Sequence, residues 1–268
     1  MTPVLRIDHA TLAYGQRTLW SGLDLDVAPG EFITVLGSNG TGKSSLLKAI
    51  LGLVPLSAGS VMVDGEPARR GSRRIGYIPQ QRGYAVDVPL RGKDLVRLGI
   101  DGNRWGLPLP WRSAARNRVA ELVERVGATS YAHRPLGQLS GGEQQRLRIA
   151  QALATDPAVL LCDEPLLSLD LRHQRQVVAL IDQQRREHGT SVVFVTHEIN
   201  PVLPVTDRVL YLHDGRFRIG SPQDVMTSEV LSELYQSPIE VIRRGDQLIV
   251  LGADDAGHTH PHDEEEPA

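Results

Sequence analysis

The sequence predicts an α/β fold: a mostly parallel sheet with an N-terminal antiparallel β layer and an inserted helical subdomain. Three observations carry that expectation. Compact apolar runs, EFITVLG (31–37), AVLLCD (158–163), SVVFVTH (191–197) and RVLYLHDG (208–215), have the Val- and Leu-rich character of strands buried on both faces. Helical stretches such as KSSLLKAILGL (43–53) and QQRLRIAQALA (144–154) lie between them, and that alternation is most simply a parallel sheet. The first segments, VLRIDHATLAYGQRTLW (4–20) and SVMVDGEP (60–67), are instead short, partly alternating and broken by Gly and Asp, which suits an antiparallel edge layer.

Between about residues 85 and 150 the alternation lapses. SAARNRVAELVERVGA (113–128) is amphipathic and has no strand of its own, so this stretch reads as a helical subdomain inserted into one domain spanning 1–220. A C-terminal extension follows over 221–252. Ser221 and Pro222 open a helix at SPQDVM, EVLSELY (229–235) continues at helical spacing, and VIRRGDQLIVL (241–251) is expected to be a hairpin turning at Gly245-Asp246. The remaining residues, 253–268, are a His-rich and acidic tail expected to be disordered.

Bulk properties narrow the partners. A chain of 268 residues with 41% hydrophobic content can bury a sizeable core, and its net charge of −3 exerts no global pull on nucleic acid, which is therefore not an expected partner. One cysteine excludes an internal disulfide framework, and no charged-then-apolar signal segment opens the chain. The longest apolar runs fall far short of the roughly 20 residues that span a bilayer. The cytosol is then the natural compartment, and a membrane role would come through a partner.

GSNGTGKS (37–44) fits G-x-x-x-x-G-K-[ST] between an expected strand and an expected helix, the setting a P-loop needs. Glycines let backbone N–H groups face an anion, the helix N-terminus favours negative charge, Lys43 reaches outer phosphates, and the Ser44 hydroxyl suits Mg²⁺. A P-loop NTPase core follows. VLLCDEP (159–165) puts Asp163 and Glu164 at the carboxyl end of a buried strand, where ligands gather in an open sheet. Asp163 suits Mg²⁺, Glu164 suits polarising a water, and Cys162 before them reads as a small buried hydrophobe. His197 ends SVVFVTH at the same edge, where an imidazole could meet a γ-phosphate or cap the strand. Gln80, in IGYIPQQ (75–81), follows a short strand.

LSGGEQQR (139–146) has Ser140 at an N-cap position and Glu143 three residues on, a capping box at a second helix start. In order, Tyr14, the P-loop, Gln80, LSGGEQQR, VLLCDE, SLD (168–170) and His197 resemble the ATP-binding cassette family, the ATPase subunits of ABC transporters, over most of residues 4–220. A P-loop alone would also admit kinases and GTPases, whereas this signature in this order is highly specific.

The resemblance implies two cassettes paired head to tail, with ATP between the P-loop of one (Gly37, Ser38, Asn39, Gly40, Thr41, Gly42, Lys43, Ser44, Ser45) and Ser140, Gly141, Gly142 and Glu143 of the other. It implies an adenine stack on Tyr14, whose ring could equally fill the edge layer's core. Gln80 is implied to sense Mg²⁺ and water, Asp170 to bridge the dimer, and Leu169 departs from the small residue common at its place. With Glu164, His197, Gln80 and Lys43 all present, ATP hydrolysis with Mg²⁺ is expected. The stretch 196–235 resembles ATPases serving zinc, manganese or iron importers. That resemblance implies a homodimer on the cytoplasmic face of the membrane, peripheral to a permease, with an extracytoplasmic metal-binding protein. RGYAVDVPL (82–90), with Tyr84 and Val86, is the expected docking segment for the permease.

The tail places His258, His260 and His262 two apart, on one side of an extended chain, so they could converge weakly on a metal ion or belong to a solvated acidic tail. His173 and His188 are expected to be surface residues.

Overall fold

A computed structural model describes residues 2–80, 89–102 and 112–252. Strands β1 (Leu5–Tyr14) and β2 (Arg17–Val27) pair antiparallel, and β4 (Ala58–Val63) and β5 (Glu66–Pro67) extend them into a four-stranded layer ordered β2-β1-β4-β5. Between them the chain builds β3 (Phe32–Gly37) and α1 (Lys43–Ile50). Then come β6 (Ile75–Ile78), three helices α2 (Gly92–Asp101), α3 (Arg112–Arg125) and α4 (Gly141–Ala152), β7 (Val159–Asp163), α5 (Leu171–His188), β8 (Ser191–Val195) and β9 (Arg208–His213). β10 (Arg216–Gly220) closes a six-stranded sheet ordered β10-β9-β3-β8-β7-β6. All its pairings are parallel except β10 with β9.

The apolar runs are continuous because both faces of this sheet are covered. Side chains alternate across a strand, so Phe32, Leu160, Cys162, Val192, Phe194 and Val209 enter a core beneath the helices. Their neighbours Ile33, Val35, Leu161, Val193, Val195 and Leu210 enter a second core with α1 and the antiparallel layer. Phe32 and Phe194 stack at 5.6 Å across the β3–β8 pairing. Cys162 is the small buried hydrophobe expected, its thiol pushed far up by desolvation.

Two features of the C-terminal part differ from the sequence reading. β10 was not foreseen, since RFRIG is neither buried throughout nor alternating. The helix opened by Ser221 also ends after four residues, α6 (Pro222–Val225), and α7 (Ser228–Tyr235) starts afresh with Thr227 accepting from the Val230 N–H at 3.2 Å. A second N-cap residue inside a helical pattern competes with continuation, and here it wins. β11 (Ile239–Arg244) and β12 (Gln247–Gly252) form the hairpin, with Arg244 opposite Gln247 across the Gly245-Asp246 turn. No helix among the described residues is long and apolar enough to cross a membrane.

Candidate active site

Four parallel strands deliver their following residues to one edge: the loop 37–42 after β3, Gln80 after β6, Glu164 after β7 and His197 after β8. They enclose a cavity of about 920 Å³ lined by the loop, Ser44, Ser45, Gln80, Glu164 and His197.

The loop is shaped by what its backbone must avoid. Gly42 is the N-cap of α1 at φ +97°, ψ +11°, with no side-chain cap and no acidic residue in the first turn, so this helix end is left for an anion. A Cβ at Gly42 would lie 2.9 Å from Nε1 of Trp20, a fully buried indole that floors the loop. Thr41 turns away from the cavity and braces the loop by donating to the Ser38 carbonyl at 3.0 Å. Lys43 Nζ folds back to donate to the carbonyls of Gly37 (2.7 Å) and Ser38 (3.0 Å). Burial holds its pKa below the ordinary lysine value, against the opposing pull of Glu164 and Asp163.

Asp163 gathers two hydroxyls at this edge. Its Oδ1 accepts from Ser44 Oγ at 3.0 Å and its Oδ2 from the Tyr77 hydroxyl at 3.3 Å. Desolvation, with the Asp163 charge and hydrogen bond adding to it, pushes the Tyr77 pKa up to about 12, so the phenol stays a donor. A hydroxyl and a carboxylate brought together at the P-loop are hard oxygen donors of the kind Mg²⁺ takes. Glu164 sits at φ +45°, a left-handed conformation that costs about 1–3 kcal/mol and persists where the surroundings impose it. Its amide donates to Val195 O at 3.0 Å, and its carboxylate accepts from Gln80 Nε2 at 3.1 Å.

Ser140, Gly141, Gly142 and Glu143 are not part of this cavity. They start α4 with a complete capping box: the Glu143 N–H donates to Ser140 Oγ at 3.3 Å, and the Ser140 N–H to Glu143 Oε2 at 2.8 Å. Tyr14 ends β1 49% exposed, outside the edge layer's core and also outside the cavity lining. His197 is exposed and lines the cavity. Tyr84 and Val86, and the tail histidines His258, His260 and His262, lie outside the described residues.

Three neighbours of the site escaped the sequence reading. Trp20 and Tyr77 come from strands whose relation to the loop exists only in the fold. Tyr77 did carry a faint signal, a polar tip on a short buried strand three residues before Gln80. His173 lies at the surface as expected, but its ring also packs against Gly142.

The ABC transporter family model matches residues 20–167. A manganese transport system ATP-binding protein of Halalkalibacterium halodurans is 32% identical over 94% of this chain and 99% of its own length. A zinc transport system ATP-binding protein of Treponema pallidum is 34% identical over 86% of both chains. A hemin import ATP-binding protein of Streptomyces coelicolor is 36% identical over 88% of this chain and 85% of its own. Among solved structures, an ABC transporter described as of metal-chelate type, in an inward-facing conformation, aligns with TM-score 0.79 at 26% identity, covering 93% of this chain and 96% of that one. A dimeric ATP-binding cassette in a post-hydrolysis state with ADP and Pi aligns with TM-score 0.68 at 29% identity over 81% of this chain and 98% of that one. The P-loop edge, the signature helix and these likenesses agree: the chain belongs to the ABC transporter family as an ATP-binding cassette.

Proposed function

We propose that this chain is the ATP-hydrolysing subunit of an importer for a divalent metal ion, zinc or manganese. In this reading it works as a homodimer, peripheral to an integral-membrane permease at the cytoplasmic face, with an extracytoplasmic metal-binding protein delivering the cargo. The observation that carries the ATPase part is the placement of two helix starts, one left uncapped for an anion and one closed by its own capping box. One opens into the cavity with Lys43, Glu164 and His197, whereas the signature start lies outside it. A second copy supplies what each cavity lacks.

ATP displaces the internal contacts of Lys43, whose ammonium then meets the outer phosphates while the loop N–H groups hold them. Ser44 and Asp163, with Gln80 close by, would hold Mg²⁺, which would supply positive charge to offset that of the phosphoryl group. Glu164 orients and polarises the attacking water, Gln80 keeps its carboxylate in place, and His197 donates toward the γ-phosphate. Ser140 and the start of α4 from the second copy complete the charge stabilisation. Hydrolysis reopens the pair, and the segment near 82–90, with the helical subdomain of about 85–150, passes that motion to the permease. The extension 221–252 and the tail 253–268 are accessory in this scheme, and the tail histidines a weak metal site.

Glu164→Gln is expected to retain ATP binding, trap ATP-bound dimers in gel filtration and slow phosphate release at least about tenfold. Release at the parent rate would remove Glu164 from the mechanism. The metal cargo is supported by the manganese and zinc relatives, and the 36% identical hemin relative favours a second reading, an importer of an iron chelate. Metal content of cells with and without the gene, grown under scarcity of each metal or with hemin as the iron source, separates the two. A selective fall in zinc or manganese supports the first reading, and a loss confined to hemin iron supports the second.

A further inference from the structure

Besides the Arg146–Gln176 hydrogen bond at 3.1 Å between α4 and α5, one side chain sits between the start of the signature helix and the loop that leaves Glu164: His173. From Glu164 the chain runs through tight turns, with the Leu167 N–H donating to Glu164 O at 3.2 Å and the Leu169 N–H to Leu166 O at 3.1 Å, and reaches Asp170, the N-cap of α5. Both carboxylate oxygens of Asp170 are used by His173. Oδ1 accepts from its backbone N–H at 2.9 Å, and Oδ2 lies 2.7 Å from its Nδ1. These contacts fix the imidazole plane and hold the Asp170 pKa below the ordinary carboxylate value, the backbone hydrogen bond contributing most. The opposite edge of the ring is pressed against the signature: a Cβ on Gly142 would lie 2.6 Å from Cδ2 and 3.3 Å from Nε2 of His173. The absence of a Cβ at Gly142 is what admits this ring in its present place. The His173 side chain keeps 41% of its surface exposed and that of Asp170 64%, so a second copy can reach both.

We propose that His173 is a positioning residue that locks the Asp170 loop to the start of α4. The two parts offered to the other copy, Asp170 at the dimer contact and Ser140–Glu143 at its nucleotide, then arrive as one unit connected back to Glu164 of the same chain. The proposal rests on the head-to-tail reading above. Its physical content is preorganisation: a half-site whose two parts are held together before the copies meet loses less freedom on closure. His173 is not among the residues that line the P-loop cavity of its own chain.

The test is ATP-induced dimerisation in a Glu164→Gln background, measured by analytical ultracentrifugation, beside ATP affinity of the monomer and thermal midpoint. Adding His173→Ala is expected to weaken the dimer about tenfold, leaving monomer affinity and midpoint where they were. Adding His173→Asn, whose amide can donate to Asp170 from near the Nδ1 position, is expected to restore most of the loss. Unchanged dimer affinity in the alanine variant would overturn the proposal. So would a loss that the asparagine variant fails to repair, or one matched by an equal loss of monomer affinity. If the Glu164→Gln parent itself stays monomeric with ATP, it is the head-to-tail reading that fails.

Discussion

Gly42 shows how a single residue serves the site twice. Its left-handed conformation makes the turn into α1, and its missing Cβ leaves room for Trp20 beneath. Gly42→Ala incurs both penalties, conformational strain of about 1–3 kcal/mol and displacement of a buried indole. We expect ATP binding, followed with a fluorescent analogue, to fall at least about tenfold, with a lowered thermal midpoint. Parent-like binding would show that the loop can shift without loss. The glycine was legible in the sequence because the P-loop pattern is local, confined to residues 37–44 and their flanking strand and helix. Lys43 and Ser44 were legible in that same pattern, and Asp163, Glu164 and His197 for a related reason: each ends or closely follows a strand, and a parallel sheet brings such ends to one edge. Trp20, Tyr77 and His173 were not. Nothing local in TLW, GYI or LRH says that β2 runs under the loop, that Tyr77 faces Asp163, or that α5 begins against α4.

The same division holds for whole elements. Strands buried on both faces announce themselves, because a continuous apolar run has few other soluble uses, and β3, β7, β8 and β9 fall where the runs lie. β10 does not, since an edge strand with one partner needs no such pattern, and the break between α6 and α7 turns on a competition that Thr227 decides by one hydrogen bond. The terminal hairpin is likewise held by a contact invisible in sequence. Asn200, three residues after His197, donates its Nδ2 to Leu248 O at 2.9 Å and accepts from the Leu248 N–H at 2.8 Å, so one amide occupies both backbone groups of a β12 residue. Asn200→Ala leaves that pair unsatisfied beside the buried Leu248 side chain, a cost of about 1–3 kcal/mol. Amide hydrogen exchange is expected to quicken across β11 and β12 while β3 and β8 stay protected. Uniform loss of protection would mean that the hairpin is integral to the main fold instead of locally tethered to it.

At the scale of the molecule, the separation of the two helix starts makes a quantitative demand on the dimer. If each nucleotide lies between the P-loop of one copy and the signature of the other, then damaging Lys43 in one chain and Ser140 in another harms different halves of a site. Lys43→Ala removes the phosphate contact, and Ser140→Asp keeps a good N-cap while setting a carboxylate against the partner's γ-phosphate. Either variant alone forms dimers in which both sites are broken. In a mixed dimer the two lesions fall on the same site, and the other site is built from an intact P-loop and an intact signature. Equal amounts mixed at random give half mixed dimers with one sound site of two, so about a quarter of the wild-type sites return. ATPase activity of the mixture is expected to rise to roughly that fraction and to vary with the product of the two concentrations. Activity no greater than the sum of the separate variants would overturn a site that each pair of copies completes independently. Activity that rises in either variant alone, without its complement, would place Ser140 or Lys43 outside the site altogether.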